Sequence, residues 1–144
     1  MGKRPGANLL DRKGAPETFD VKGFTELIKN LRHKRNSRVP LFDRSLDEVV
    51  KNARKIPAEQ EYIIAEGNYL LLNKDSWRDL YNYWDYQVFL SVESSVLKSR
   101  LIERWLSENH TYSEAEARVL KNDLVNADIV NSNRLNATAE FQTG

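Results

Sequence analysis

The 144 residues are 40% hydrophobic and 30% charged, a composition that suits a single core and argues against more than one domain. The 22 Lys and Arg nearly cancel the 21 Asp and Glu, so the net charge of +1 gives no general attraction toward nucleic acid or an anionic membrane. The absence of cysteine excludes disulfides, thiolate metal sites and cysteine nucleophiles; with neither a membrane-length apolar run nor the apolar core of a signal peptide, the expected location is the cytoplasm.

Residues 1–19 hold Gly2, Pro5, Gly6, Gly14 and Pro16 without sustained periodicity and read as an irregular lead-in. Asp20 is placed to cap a helix whose apolar positions Val21, Phe24, Leu27, Ile28 and Leu31 recur at helical spacing, before the basic stretch His33 to Arg38 ends it. Val39 to Phe42 is short and apolar and contains Pro40, which predicts an edge strand or extended loop. Leu46, Val49, Val50 and Ala53 fit one face of a helix closed by Pro57. Tyr62 to Ala65 is a continuous apolar run ending in Glu66 and Gly67, the pattern of a buried parallel strand with a carboxylate at its C-terminal end. Asp75 predicts a short capped helix carrying Trp77, Leu80, Tyr81 and Trp84, and Tyr86 to Val92 reads as a second buried strand. Ser94 opens a helix with Leu97, Leu101 and Trp105 spaced by fours. Ser113 and Glu116 read as a capping box for another helix, with Ala117, Leu120, Leu124 and Ala127 on one face, and Ile129 and Val130 as a last short strand. Strands alternating with helices predict an α/β architecture with a largely parallel sheet.

In open parallel sheets ligands bind beyond the carboxyl ends of the strands, where Glu66 and Gly67 are expected. A carboxylate there can hold a metal ion, and glycine lets a phosphate approach the backbone; equally, Glu66 can simply end a strand and meet solvent. Arg100 and Arg104 lie one helical turn apart, with Lys98 nearby, and can either clamp phosphate oxygens or pair locally with Glu103 and Glu108. His33 and His110 lack the short-range companions of a metal site and read as surface residues. No serine sits in a G-x-S-x-G elbow. The aromatic group Trp77, Tyr81, Tyr83 and Trp84 has the spacing of core and rim packing, although it can also stack a base.

Three stretches, Lys13-Gly14-Ala15-Pro16-Glu17-Thr18-Phe19-Asp20, Glu66-Gly67-Asn68-Tyr69-Leu70-Leu71-Leu72 and Arg100-Leu101-Ile102-Glu103-Arg104, resemble in sequence and order the bacterial nucleoside and sugar kinase-like proteins related to uridine kinase, pantothenate kinase and phosphoribulokinase. Val39 to Arg44 and Asn122-Asp123-Leu124-Val125-Asn126 resemble further signatures of that superfamily. The resemblance implies a P-loop α/β sheet flanked by helices, on which ATP and Mg²⁺ meet a small hydroxylated substrate beneath a mobile lid. It implies that Glu66 lies near Mg²⁺, directly or through water, and that Arg100 and Arg104 belong to the lid. It further implies that Lys13, Pro16, Asp20, Phe42, Asp43, Arg44 and Tyr69 border the acceptor pocket, and that Asn122 and Asn126 approach the nucleotide. It also implies a loop and strand hairpin over Leu46 to Ile56, in place of the helix suggested by periodicity.

The sequence departs from the family pattern as well. A phosphate loop needs G-x-x-x-x-G-K followed by Ser or Thr, and the 144 residues contain none; Gly2-Lys3 is followed by Arg4. The family's first strand and early Asp base have no counterpart here, Trp105 stands where relatives usually have His, and no lid glycine follows. The expectation is a partial kinase fold: 1–19 at the acceptor pocket, 20–130 the C-terminal two-thirds of the kinase domain, and 131–144 a tail. Such a chain is expected to be a fragment of an ATP-dependent kinase of a nucleoside, sugar or similar alcohol, inactive alone and holding ATP weakly or not at all. An exposed sheet edge would favour homo-oligomers, and the alternative is a noncatalytic small-molecule-binding or subunit-interaction module. Neither nucleic acid nor a membrane is an expected partner.

Overall fold

The computed structural model describes residues 14–43, 45–46 and 48–144. After a short 3-10 turn at Pro16–Thr18, helix α1 spans Val21–Arg32 and starts where expected: Asp20 Oδ1 accepts from the Gly23 amide at 3.0 Å, satisfying one of the unpaired N–H groups of the first turn. Strands β1 (Ser37–Asp43) and β2 (Glu48–Ile56) form an antiparallel hairpin. The helix expected over Leu46 to Ala53 is therefore corrected to a strand, as the family resemblance implied. Val49 and Val50 suit a pleated strand, and pairing across the turn overrides their helical spacing. Pro40, which has no N–H to give the ladder, falls where the register shifts between Val39 and Leu41. Opposite it Asn52 adopts φ 54°, a left-handed conformation that asparagine tolerates.

The run Tyr62 to Ala65 does not form the buried strand expected of it: residues 61–67 belong to no helix or strand, with Ile64 95% and Tyr62 83% exposed. An apolar run becomes a buried strand only when neighbours supply both ladder partners and a cover, and none of the described residues does so here. A second 3-10 helix, Arg78–Tyr83, replaces the helix expected after Asp75; its first position is preceded by Trp77, whose side chain makes no capping bond.

Strand β3 (Val88–Ser91) is shorter and more open than expected, with Val88 and Leu90 exposed. From it the chain passes through α2 (Ser94–Ser107), α3 (Tyr112–Arg118), a π turn (Val119–Asp123) and α4 (Leu124–Asn133), then returns as β4 (Ala139–Gln142), parallel to β3. Parallel strands need such a crossover, and these helices supply it. Ile129 and Val130, expected as a strand, lie in α4 and pack on the core. Residues 131–144, read as a tail, carry β4 and bridge Arg134 to Leu72. The capping box stands two residues earlier than expected: Thr111 accepts from the Glu114 amide while Glu114 Oε2 accepts from the Thr111 amide at 2.9 Å.

The fold is thus α/β, with a parallel strand pair flanked by helices. Its larger core gathers Val21 and Ile28 of α1 with Tyr69, Leu72, Trp77 and Leu80, covered in part by Ile129 and Val130. Full burial of Leu72 and Leu80 contributes about 1.5–3 kcal/mol each. A smaller core of Ile102, Ala115 and Val119, with Leu101, Trp105 and Leu124 against it, holds the α2–α3 hairpin together. No helix among the described residues is long and apolar enough to cross a membrane.

Candidate functional site

Two of the family-like stretches, far apart in sequence, meet in space. The Tyr69 hydroxyl donates to the Gly14 carbonyl at 2.7 Å, and the Trp77 indole N–H donates to the Pro16 carbonyl at 3.3 Å. Phe19 meets both rings edge-on, with centroids 5.7 Å from Tyr69 and 5.9 Å from Trp77. These contacts fix Gly14 to Asp20 over the turn that follows Glu66 and Gly67. Beside them opens a depression of about 700 Å³, walled by Pro16, Phe19 and Asp20 on one side and by Asn73, Lys74 and Trp77 on the other. Its mixture of aromatic surface with ammonium and carboxylate groups suits a small polar molecule better than an apolar one.

The remaining expected residues are placed as follows. Lys13 and Arg44 lie outside the described residues. Phe42 is half exposed at the end of β1. Asp43 Oδ1 accepts from the Ser45 hydroxyl at 2.6 Å and the Ser45 amide at 2.9 Å, and these bonds hold its carboxyl below the usual aspartate range. Glu66 is exposed and has no hydrogen-bond or ion-pair partner among the described residues, so its carboxylate is available. Arg100 and Arg104 are exposed on α2, and Arg104 pairs with Glu108 at 3.4 Å, the local pairing that the sequence allowed. Asn126 donates to Asn122 at 3.4 Å where the π turn joins α4.

One connection had no signal in the spacing of residues. The Trp105 indole N–H donates to Asp123 Oδ2 at 2.7 Å, joining α2 to the π turn, while Arg104 and Arg118 both lie against the indole ring, at 5.9 and 4.9 Å from its centroid. Lys98 and Glu116 add an ion pair of 3.2 Å between α2 and α3.

The fit to ATP and Mg²⁺ is partial. No group of three or more metal-ligating side chains forms among the described residues, and Glu66 is a single carboxylate. The sequence has no glycine-lined lysine loop to wrap phosphates. The described residues alone do not assemble a complete nucleotide-Mg²⁺ site.

Comparison with known proteins places the chain. It is 32% identical over 136 residues to the ATP-dependent kinase-like protein notR' of Aspergillus versicolor, covering 90% of this chain and 79% of that protein. It is 35% identical over 131 residues to the uncharacterized protein YggC of Escherichia coli, covering 90% of this chain and 54% of YggC. The crystal structure of a Silicibacter protein, described as a candidate kinase of a fructose transport system, superposes with a TM-score of 0.87 at 42% identity, over 93% of this chain and 65% of that one. No family model matches. The chain belongs to the P-loop small-molecule kinases related to uridine kinase and pantothenate kinase. It spans about half the length of YggC and about four-fifths of notR'.

Proposed function

We propose that these residues form the acceptor-binding and lid side of an ATP-dependent kinase acting on a hydroxyl of a nucleoside, sugar or similar small molecule, and that they do not transfer phosphate without a phosphate-gripping loop. The observation that carries this reading is the joining of the Gly14 to Asp20 stretch to the Glu66 to Leu72 stretch through Tyr69 and Trp77, beside a depression sized for a small polar molecule. Phosphoryl transfer depends on positioning and electrostatic stabilisation, so an acceptor wall and a basic lid supply part of the catalytic surface but not the amide nest that orients the transferred group.

In this arrangement Glu66 faces the metal, through water or directly, while Asp20 and Phe42 border the acceptor. Arg100 and Arg104 neutralise phosphate oxygens from the lid, and Asn122 and Asn126 stand toward the nucleotide. The depression's Asp20 and Lys74 match the hydroxyl and carbonyl groups of a nucleoside or sugar better than a charged polymer. Calorimetric titration with Mg²⁺-ATP and, separately, with a panel of nucleosides and hexoses tests the division of labour. The expected result is measurable binding of at least one alcohol, weakened by Lys74→Ala, with little or none of Mg²⁺-ATP. Tight Mg²⁺-ATP binding without any alcohol binding would overturn it, and binding of alcohols by a complete two-subunit assembly only would favour a noncatalytic interaction module.

A further inference from the structure

The β1–β2 hairpin carries a charge pattern that the described residues of its own chain do not answer. The register sets Val39 opposite Arg54, Leu41 opposite Val50 and Asp43 opposite Glu48. Alternate residues of a strand share a face, and cross-strand partners share it too. One face of the hairpin therefore runs from a cation, through an apolar pair, to two acids, over about 13 Å. The other face carries Arg38 opposite Lys55 and Phe42 opposite Val49, with no acid among the described residues.

The first face is open to water. Every residue of β2 except Ile56 is exposed, and Leu41 and Val50 are 55% and 43% exposed. At the foot of the hairpin Ser37 is buried and β1 lies against α1, so the chain covers that end and leaves the rest uncovered. A two-stranded ribbon without a cover is marginal in water. Its charges are also unanswered. The ion pairs among the described residues join other groups, and none involves Arg54, Asp43 or Glu48. Asp43 receives its bonds from Ser45 and Leu46 on Oδ1 alone. Asp43 and Glu48 face each other as like charges, an arrangement that is unfavourable within a single hairpin. The two ends stay opposite in sign along the sequence: residues 43–48 hold three acids and one arginine, whereas residues 49–58 hold Lys51, Arg54 and Lys55 and no acid.

We infer that this face is a contact between two copies of the chain, packed antiparallel about a two-fold axis, with Arg54 of each against Asp43 and Glu48 of the other and the Leu41–Val50 pairs meeting at the centre. A two-fold contact must be self-complementary, and a line of cation, apolar pair and acids is so only when the second copy runs the opposite way. Parallel stacking would set acids on acids. A nucleic acid or an anionic membrane would meet the acidic end as well as the cation. Edge-to-edge addition to β2 is opposed by Lys51, Arg54 and Lys55 and by the left-handed Asn52 at its middle. This contact is separate from the acceptor-and-lid reading and does not depend on it.

The test is sedimentation equilibrium of the 144-residue chain at about 50 mM salt, where surface charges are little screened. The native chain is expected to dimerise. Arg54→Glu and Glu48→Lys should each raise the dissociation constant about fivefold or more, because each change counts twice across a two-fold contact. A 1:1 mixture of these two variants should associate more tightly than either alone, by about threefold or more, since residues 54 and 48 again face opposite charges at both ends. Val50→Ser should also weaken the dimer about fivefold. On the other face, Lys55→Glu and Val49→Ser should each change the constant by no more than about twofold. All these positions are exposed in the single chain, so thermal unfolding of each variant reports any loss of fold separately. Absence of a gain on mixing, or equal effects of Arg54→Glu and Lys55→Glu, would overturn the inference. So would a chain that stays monomeric at millimolar concentration, or one made monomeric by Ile64→Lys alone.

Discussion

The Tyr69 hydroxyl and the Gly14 carbonyl, 55 residues apart in sequence, meet in a 2.7 Å hydrogen bond that holds the lead-in segment against the turn after Glu66. Tyr69 is 2% exposed, whereas Gly14 is only half buried, so water can replace the bond at the glycine. Tyr69→Phe is therefore expected to cost about 1 kcal/mol in urea unfolding, and Trp77→Phe more, about 2 kcal/mol, because the Pro16 carbonyl it leaves lies in a buried bond and the smaller ring leaves a gap. Equal costs for the two would contradict the ranking.

Gly23 lies in the first turn of α1, where alanine would ordinarily stabilise a helix by about 1 kcal/mol. Here a Cβ would overlap the Asp20 carboxylate that caps the same helix. Gly23→Ala is expected to give no gain, and to give its ordinary gain once Asp20→Ala has removed the cap. A double-mutant cycle by thermal unfolding should show this coupling; additive effects would contradict it.

Glu114 is held below the usual glutamate range, first by the Thr111 amide and then by the Thr111 hydroxyl. Folding therefore favours its ionised form. The stabilisation is complete above the ordinary glutamate range and is lost as pH falls through the lowered value. Protection of the α3 amides, taken as their exchange relative to the intrinsic rate at each pH, should fall on acidification in the native chain, and Glu114→Gln should flatten that dependence. A Gln variant with the same acid limb would show that the capping box is not its source.

The sequence made the local features of this fold readable where one segment decides its own structure. Asp20 and the spacing of Val21, Phe24, Ile28 and Leu31 located α1, and Pro40 marked the irregular edge of β1. What failed depended on distant partners. Tyr62 to Ala65 has the composition of a central strand, but composition cannot show whether neighbouring strands are present to pair with it. Val49 and Val50 fit a helical face until β1 pairs with them, and Ile129 and Val130 have strand composition but continue a helix. For the site, the motifs around Pro16 and Tyr69 pointed to residues that do meet. The contact between Trp105 and Asp123 did not, because hydrogen bonds between separate helices leave no periodic trace.

The unpaired apolar run also has a solution consequence. Ile64 is 95% exposed, so Ile64→Lys should change unfolding free energy by no more than about 0.5 kcal/mol, while Leu72→Ala, at a fully buried position, should cost about 2–5 kcal/mol. If the 62–65 edge drives association between copies, sedimentation velocity should show the Ile64→Lys chain less associated than the native chain at equal concentration. Unchanged association would remove this edge as the contact.

Phosphate transfer by this fold needs a phosphate-gripping loop that these 144 residues do not contain. The most direct test of that need is ADP formation by the purified 144-residue chain in Mg²⁺-ATP, with and without each nucleoside and sugar of the panel. The expected result is the same background rate in every case. ADP release that rises with the concentration of one alcohol, and is abolished by Glu66→Gln, would contradict it.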